Sequence, residues 1–218
     1  MQIAIDGPAG AGKSTIAKMV ATQLNIVYLD TGAMYRAITY AALSHRLDFD
    51  DTAAVAALAE TAVIRFEGWQ VFLNDEDVTA AIRDPEVSRF TSKVAVIPEV
   101  RALLVAQQQK IAGDTDVIMD GRDIGSVVLP EADYKFYLDA TVEERARRRF
   151  NELKEKGQLG DKTLAAIEAD IAQRDYNDAH RDVGPLVCCD DAVRVDTTGL
   201  DIPDVCAVIL KAIGEDCR

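Results

Sequence analysis

The first fifteen residues of the chain contain a glycine-rich stretch that is followed by a lysine and a serine. Four residues separate Gly7 from Gly12, and Lys13 and Ser14 follow directly. Glycine lets the backbone turn tightly enough for successive N–H groups to converge on phosphate oxygens. The lysine adds positive charge for the β- and γ-phosphates, and the serine hydroxyl can bind Mg²⁺. The predicted phosphate site comprises Gly7, Pro8, Ala9, Gly10, Ala11, Gly12, Lys13, Ser14 and Thr15.

A strand and a helix are needed to hold this stretch in a binding conformation, and the sequence predicts both. Residues 3–5 form an apolar run typical of a buried strand. After the glycines, Ile16, Val20 and Leu24 recur at helical spacing, and Asn25 is a plausible end. The start of such a helix directs its positive dipole end toward the same phosphates. This context disfavours the alternative that the glycines form an ordinary turn.

Two further apolar runs end in aspartates. Residues 26–29 precede Asp30, and residues 117–119 precede Asp120. Strand–helix–strand order predicts an α/β fold with a parallel sheet, whose ligands gather at the carboxyl ends of the strands. We predict that Asp120 and Ser14 hold the metal ion, directly or through water. The alternative is a polar turn that happens to follow a strand.

Residues just beyond these strand ends are candidates for binding a second anion. Thr31, Tyr35 and Arg36 follow the second strand, and Arg122 and Asp123 follow the third. Arg36 lies one helical turn into the predicted helix, a good position for a charged contact with an acceptor. An arginine early in a helix can equally be solvated, so this assignment depends on its location at a strand end.

Between residues 48 and 98 the pattern changes to short pieces. Asp51 predicts the cap of a short alanine-rich helix. Alternating residues 63–66 and 70–73 predict an antiparallel hairpin. Antiparallel pieces within a parallel framework indicate an inserted subdomain.

The second half of the chain predicts a long helix and two more strands. The strands cover residues 134–138 and 193–195. Pro98 begins the helix, and Arg101 is expected outside its apolar stripe. The residues predicted for that stripe are Val100, Leu103, Leu104 and Ile111.

Arginines cluster in the helix that begins after Thr141. A solvated helix face would explain part of this cluster. A mobile arginine lid that covers the phosphates, expels water and stabilises the transferred charge explains all of it, and we favour the lid. The cluster comprises Arg145, Arg147, Arg148 and Arg149, of which Arg145 and Arg148 are predicted to act in catalysis. Farther on, Arg174, Asp178 and Arg181 have the spacing of one helix face.

Composition excludes some partners and indicates a compartment. Lys and Arg total 24 against 37 Asp and Glu, which gives a net charge of -13. So acidic a chain repels nucleic acid and anionic membranes, and no apolar run is long enough to span a bilayer. The four cysteines have no zinc-site spacing and no secretory signal precedes them, which predicts free thiols in a reducing cytoplasm. The chain is expected to act as a monomer.

Taken together, four segments resemble bacterial cytidylate kinases, a family of the P-loop nucleoside monophosphate kinases. They are residues 7–15, 30–36, 120–123 and 174–181, which occur in the family's order. The resemblance implies a five-stranded parallel sheet flanked by helices, with an inserted antiparallel subdomain and a short helical lid. It implies one domain over residues 1–218: core at about 1–30, 108–144 and 182–218, monophosphate-binding insert at about 31–107, and lid at about 145–181.

The resemblance also implies the reaction and its residues. The reaction is Mg²⁺-dependent transfer of the γ-phosphate of ATP to CMP or dCMP. Cytosine is expected to contact Ser92, Arg101 and Asp123, the sugar Arg174 and Asp178, and the acceptor phosphate Tyr35, Arg36, Arg122 and Arg181, with Thr31 nearby. Catalysis is expected from Lys13, Asp120, Arg122, Arg145 and Arg148.

Two other functions remain open from the sequence. One is a kinase of another small acceptor, such as UMP or AMP. The other is a nucleotide-dependent switch that transfers no phosphate, although the chain has no Asn-Lys-x-Asp motif of the kind that reads guanine.

Overall fold

The computed structural model describes residues 1–214. Its strands are β1 (Gln2–Asp6), β2 (Val27–Asp30), β3 (Ile64–Glu67), β4 (Gln70–Leu73), β5 (Glu76–Asp77), β6 (Val117–Asp120), β7 (Tyr134–Asp139) and β8 (Val193–Asp196). Its α-helices are α1 (Lys13–Leu24), α2 (Thr31–Ser44), α3 (Thr52–Thr61), α4 (Pro85–Val94), α5 (Pro98–Asp114), α6 (Val142–Glu155), α7 (Leu164–His180) and α8 (Ile202–Ile213). A 3₁₀ turn spans Ala81–Arg83, and a π-helical turn spans Ile124–Val128.

The chain folds as two compact units. The first comprises Met1–Leu29 and the chain from Thr115 onward, and the second is Asp30–Asp114. The predicted insert of residues 31–107 falls within the second unit, and the predicted lid of residues 145–181 belongs to the first. The detailed domain boundaries stay predictions. The part of the predicted core beyond residue 214 lies outside the described residues.

A five-stranded sheet forms the centre of the first unit, with strand order β2-β6-β1-β7-β8. Strand β1 runs parallel to both neighbours, so that Ile3 lies opposite Ile118 of β6 and Tyr134 of β7. Strand β7 pairs in parallel with β8. The predicted parallel sheet is therefore confirmed, and the middle of each central strand is apolar, as expected where helices cover the sheet.

Helices α1 and α8 pack on this sheet. Ile16 and Val20 of α1 and Ile209 of α8 join Ile5 and Phe136 of the sheet in one buried cluster. Burying each of these side chains contributes about 1.5–3 kcal/mol. This core fixes the loop between β1 and α1, which is the predicted phosphate loop.

Helices α6 and α7 make a separate small core within the first unit. Ala146 and Leu153 of α6 pack against Ile167 and Ile171 of α7. The Thr141 hydroxyl accepts a hydrogen bond from the Glu144 N–H and caps α6, as the sequence predicts.

The second unit contains the predicted antiparallel hairpin. Strands β3, β4 and β5 form a three-stranded sheet in which Ile64 lies opposite Leu73. Asp51 caps α3 by accepting a hydrogen bond from the Ala54 N–H, again as predicted.

Helix α4 was not predicted from the sequence, although it carries a clear start signal. Asp84 accepts a hydrogen bond from the Glu86 N–H, and Pro85 is the first helical residue. Short amphipathic helices are easily read as loop, and this one carries few apolar residues. Its buried face is Val87, Thr91 and Val94.

The predicted apolar stripe of α5 was wrong in one respect. Arg101 is only 4% exposed, whereas Leu103 is 39% exposed. The buried positions of α5 also include Gln108, so polar side chains occupy part of the face that turns inward. A prediction based on hydrophobicity alone leaves such polar residues out of the buried stripe.

Within the described chain, Cys188, Cys189 and Cys206 are free thiols, as predicted, while Cys217 lies outside the described residues. None of the helices between residues 1 and 214 combines the length and apolar character that crossing a bilayer requires.

Candidate active site

The loop between β1 and α1 has the backbone conformation that a phosphate loop requires. Gly7, Gly10 and Gly12 have φ angles of 145°, 81° and 87°. A Cβ atom on Gly7 would lie 2.0 Å from the carbonyl oxygen of Leu138. Only glycine can occupy that position, because the loop passes directly against β7. The nine residues predicted for the phosphate site therefore form one continuous turn onto the first turn of α1.

Lys13 is the buried cation of this loop. It is 6% exposed, and its Nζ donates a 2.8 Å hydrogen bond to the carbonyl oxygen of Pro8. Burial, together with the nearby charge of Arg122, lowers the pKa of Lys13 to about 7, against the opposing effects of Asp120 and Asp6. An anionic ligand beside the ammonium group would favour its charged form. A buried lysine in a glycine-rich loop is typical of a lysine that binds phosphate.

Asp120 and Ser14 meet at the end of β6, as predicted for a metal pair. Ser14 Oγ donates a 2.8 Å hydrogen bond to Asp120 Oδ2. The hydroxyl of Tyr28 donates a 2.7 Å hydrogen bond to Asp120 Oδ1, and sequence reasoning missed this residue. Hydroxyl and carboxylate oxygens suit Mg²⁺, which commonly takes one or two protein ligands and completes its shell with phosphate and water. The donor set fits, and among the described residues no larger metal-binding cluster of His, Cys, Asp or Glu occurs.

Asp6, at the end of β1, is a second buried carboxylate that sequence reasoning missed. It is 4% exposed, and its two oxygens accept hydrogen bonds from the N–H groups of Ile124 and Gly125, at 2.8 and 2.7 Å. Burial raises the pKa of Asp6 to about 6, although these two hydrogen bonds oppose the rise. The sequence did contain a signal for Asp6, because an acidic residue ends an apolar strand there and directly precedes the predicted phosphate loop.

Charged residues from the β6 end, from α7 and from Arg181 form a network in the first unit; the predicted helix face extended one residue too far, because α7 ends at His180 and Arg181 has extended backbone angles. Arg122 Nε donates a 2.7 Å hydrogen bond to Asp178 Oδ2, and Arg181 lies 3.7 Å from Asp123 and 4.0 Å from Asp178. Burial alone would raise the pKa of Asp178, but the charge and hydrogen bond of Arg122, together with Arg174 and Arg181, hold it below its usual value. Five of the predicted acceptor residues are thus brought together.

Arg145 and Arg148 make contacts that hold them in place. Arg145 donates a 3.0 Å hydrogen bond through Nη1 to the carbonyl oxygen of Ala9, and its Nη2 lies 2.6 Å from Asp175 Oδ2. Arg148 donates through Nη2 to the carbonyl oxygen of Thr197 at 2.6 Å. Arg145 therefore touches the phosphate loop directly, whereas Arg148 connects α6 to the segment after β8. Their catalytic roles stay predictions.

The other two arginines of the cluster have surface partners. Arg147 pairs with Glu144, and Arg149 pairs with Glu152, both on α6 itself. Exposed pairs of this kind contribute little to stability. For these two residues the structure favours the alternative of a solvated helix face.

In the second unit, Arg36 is oriented by Asp30. Arg36 Nη2 donates a 2.8 Å hydrogen bond to Asp30 Oδ2, and Asp30 Oδ1 accepts from the Ala33 N–H to cap α2. Arg83 lies 3.8 Å from the same carboxylate. Within residues 1–214, the buried Nε of Arg36 has no hydrogen-bond partner. A buried charged donor without a partner is costly, so this N–H is available for an anion.

The other predicted residues of the second unit lie on three helices. Thr31 and Tyr35 are buried on α2, Arg101 is buried on α5, and Ser92 is half-buried on α4. The guanidinium carbon of Arg101 lies 5.8 Å from the centre of the Tyr35 ring, within the range of a cation–π contact. Arg101 Nη1 also donates to the carbonyl oxygen of Ala95 at 3.4 Å.

Comparison with known proteins gives a consistent result. The family model described as cytidylate kinase matches residues 3–215. The protein named cytidylate kinase from Leuconostoc mesenteroides subsp. mesenteroides is 51% identical over 216 residues, which cover 97% of this chain and 96% of that protein. The one from Enterococcus faecalis is 50% identical over 217 residues, covering 98% of this chain and 95% of that protein.

Among solved structures, the chain is similar in fold to shikimate kinase from Bacteroides thetaiotaomicron. The TM-score is 0.50 at 14% identity, and the match covers 98% of each chain. At that identity the likeness describes the fold alone, and the fold is the one expected for a protein with a phosphate loop at the end of β1.

Proposed function

The chain belongs to the cytidylate kinase family, and from that membership we propose that it transfers the γ-phosphate of ATP to CMP or dCMP. The products are CDP or dCDP and ADP. It is a phosphotransferase whose substrates are nucleotides. The observation that carries the proposal is the buried Lys13 of the phosphate loop, next to the Ser14–Asp120 pair.

This reaction needs positioning and charge neutralisation more than proton transfer. The acceptor is a phosphate whose second pKa is about 6, so it is mostly ionised at neutral pH and needs no general base. Two polyanions must be brought in line, and their repulsion must be offset. Cations supply this, which accounts for a set of arginines in an otherwise acidic chain.

We propose that the phosphate loop binds the donor. Its N–H groups and Lys13 contact the phosphates of ATP, and Arg145 steadies the loop through the carbonyl oxygen of Ala9. Ser14 and Asp120 would hold Mg²⁺, directly or through water, and the ion would supply positive charge at the phosphates. Arg148 is proposed to contribute to the charge environment from α6.

We assign the acceptor to residues of each unit separately. In the first unit, Arg122 and Arg181 bind the acceptor phosphate, Asp123 the cytosine, and Arg174 and Asp178 the sugar. The support is that these five residues already form one charged network.

In the second unit, Arg36 is proposed to bind the acceptor phosphate through its buried Nε. Tyr35 contributes to the same contact, with Thr31 beside it on α2. Ser92 and Arg101 are proposed to contact cytosine. The cation–π contact supports this by holding the guanidinium group of Arg101 near the Tyr35 ring.

We further propose that the protein acts as a monomer in the cytoplasm and does not bind nucleic acid. The net charge of -13 opposes binding to polyanions. Free thiols at Cys188, Cys189 and Cys206 are compatible with a reducing compartment. Sedimentation velocity would test the oligomeric state, and a dimer at micromolar concentration would contradict it.

The proposal is tested by comparing acceptors in an assay of ADP release with ATP and Mg²⁺. We expect kcat/KM for CMP and dCMP to exceed that for UMP and AMP clearly. A preference for UMP or AMP would keep the fold but overturn the cytosine contacts. ATP consumption with no dependence on any acceptor would favour a nucleotide-dependent switch instead.

A further inference from the structure

We propose that Asp6 is a positioning residue for the acceptor, because its carboxylate fixes the main chain that carries Arg122 and Asp123. This inference rests on the proposed function, in which both of those side chains bind CMP. Asp6 itself is not expected to touch either substrate.

The first observation is that Asp6 bonds two consecutive N–H groups of the segment after β6. Its Oδ1 accepts from Ile124 at 2.8 Å and its Oδ2 from Gly125 at 2.7 Å. The carboxylate is buried, so water cannot replace it as an acceptor. Removing it would leave two buried N–H donors without their partner, which is costly.

A second anchor lies just before the same segment. The N–H of Gly121 donates a 3.0 Å hydrogen bond to the carbonyl oxygen of Ile5. Adjacent residues of β1, Ile5 and Asp6, therefore hold both ends of the short stretch that carries Arg122 and Asp123. Because both ends of this stretch are hydrogen-bonded to a central strand, the backbone from which the Arg122 and Asp123 side chains extend is held in place.

The close approach of the chains at Gly125 supports the same role. A Cβ atom on Gly125 would lie 3.4 Å from Asp6 Oδ2 and 3.1 Å from the Cδ atom of Lys135. The backbone of Gly125 therefore lies close to both Asp6 and Lys135. The contact between Asp6 and Gly125 is thus part of a closely packed region that also includes Lys135.

The side chains held by these anchors are themselves engaged. Arg122 donates to Asp178, and Asp123 lies 3.7 Å from Arg181. A shift of the main chain would misalign both pairs at once. For groups that position a substrate, a displacement of about 1 Å can cost about 100-fold in rate.

The test compares Asp6→Asn and Asp6→Ala with wild type. Asparagine keeps one acceptor but turns an amide NH₂ toward the second N–H, whereas alanine removes both acceptors. Asp133→Asn is the matched control, since the exposed Asp133 also accepts a backbone N–H, that of Gln2, at 2.7 Å. Each protein is titrated by calorimetry with CMP and, separately, with a non-hydrolysable ATP analogue and Mg²⁺. Steady-state KM and kcat are measured for both substrates.

We expect the Kd for CMP to rise about tenfold in Asp6→Asn and about 100-fold in Asp6→Ala. The Kd for the ATP analogue should stay within about threefold of wild type, as should every constant of Asp133→Asn. The kcat of Asp6→Asn, measured at saturating CMP, should be closer to the wild-type value than its kcat/KM for CMP is. Circular dichroism checks the fold, and Asp6→Asn carries the test if Asp6→Ala does not fold.

Two results would overturn the inference. Equal losses of CMP and ATP-analogue affinity would show that Asp6 acts through the phosphate loop, which begins at the next residue. Unchanged CMP affinity in both variants would show that the anchor is not needed. Failure of the proposed function is distinct, because wild-type protein would then show no CMP turnover at all.

Discussion

Replacing Arg36 tests how the second unit recognises the acceptor. Its Nη2 is occupied by Asp30 at 2.8 Å, and its buried Nε has no hydrogen-bond partner among residues 1–214. One charge-assisted hydrogen bond to phosphate is therefore the contact most directly available to a ligand. Such a bond contributes about 1.5–3 kcal/mol, which corresponds to a factor of about 10–100 in affinity.

Arg36→Ala should therefore raise KM for CMP by about 10- to 100-fold and leave KM for ATP nearly unchanged. Arg36→Lys should show most of the same loss, because a single ammonium group cannot both pair with Asp30 and replace the Nε contact. The fold should persist, since Asp30 still caps α2 through the Ala33 N–H and still has Arg83 nearby.

Coupled assays that vary CMP and ATP in turn give both KM values, and calorimetry with cytidine isolates the phosphate contribution. Arg83→Ala is the control, because Arg83 shares the Asp30 carboxylate at 3.8 Å but has a half-exposed side chain. Its effect on KM for CMP should be much smaller. The reasoning is refuted if Arg36→Ala raises both KM values equally, or if it weakens cytidine as much as CMP.

Three further predictions concern the first unit. Tyr28→Phe removes the 2.7 Å hydrogen bond to Asp120 and should weaken Mg²⁺ affinity about tenfold. The affinity is measured from the Mg²⁺ dependence of ATP-analogue binding, and a dependence equal to that of wild type would contradict this prediction. Gly7→Ala puts a Cβ atom 2.0 Å from the Leu138 carbonyl oxygen and should cost about 3 kcal/mol or more in urea unfolding, so wild-type stability would count against the geometry. For Asp6, the pKa is raised from 3.8 to about 6 in the folded state, so its contribution to stability is present below pH 3.8 and is lost as pH rises through about 6. Between pH 4 and 7 the unfolding free energy of wild type should therefore fall by about 2 kcal/mol relative to that of Asp6→Asn. A wild-type unfolding free energy that rises relative to that of Asp6→Asn over this range would contradict the assigned sign.

The sequence was sufficient for features that depend on local order along the chain. The glycine-rich loop, α1 and the five strands follow from short patterns of glycine, apolar residues and caps; α1 and the strands were confirmed, while phosphate binding by the loop stays a prediction. The Ser14–Asp120 pair was also predictable, since the carboxyl ends of parallel strands meet at one edge of a sheet.

What the sequence could not provide depends on contacts between distant positions. The partner of Asp120 is Tyr28, 92 residues away, and Asp6 bonds N–H groups 118 and 119 residues away. No local pattern identifies such pairs. The burial of Arg101 was also not predictable, because an arginine is usually exposed and the Tyr35 ring that packs beside it lies on a different helix.

The central claim, that phosphate passes from ATP to CMP, is tested most directly by following all phosphorus species with ³¹P NMR. Purified protein, ATP, Mg²⁺ and CMP are mixed, with Lys13→Ala as the inactive control. We predict that CDP and ADP appear in equal amounts, that inorganic phosphate stays low, and that the control shows neither nucleotide product. Formation of ADP and inorganic phosphate without CDP would contradict the account.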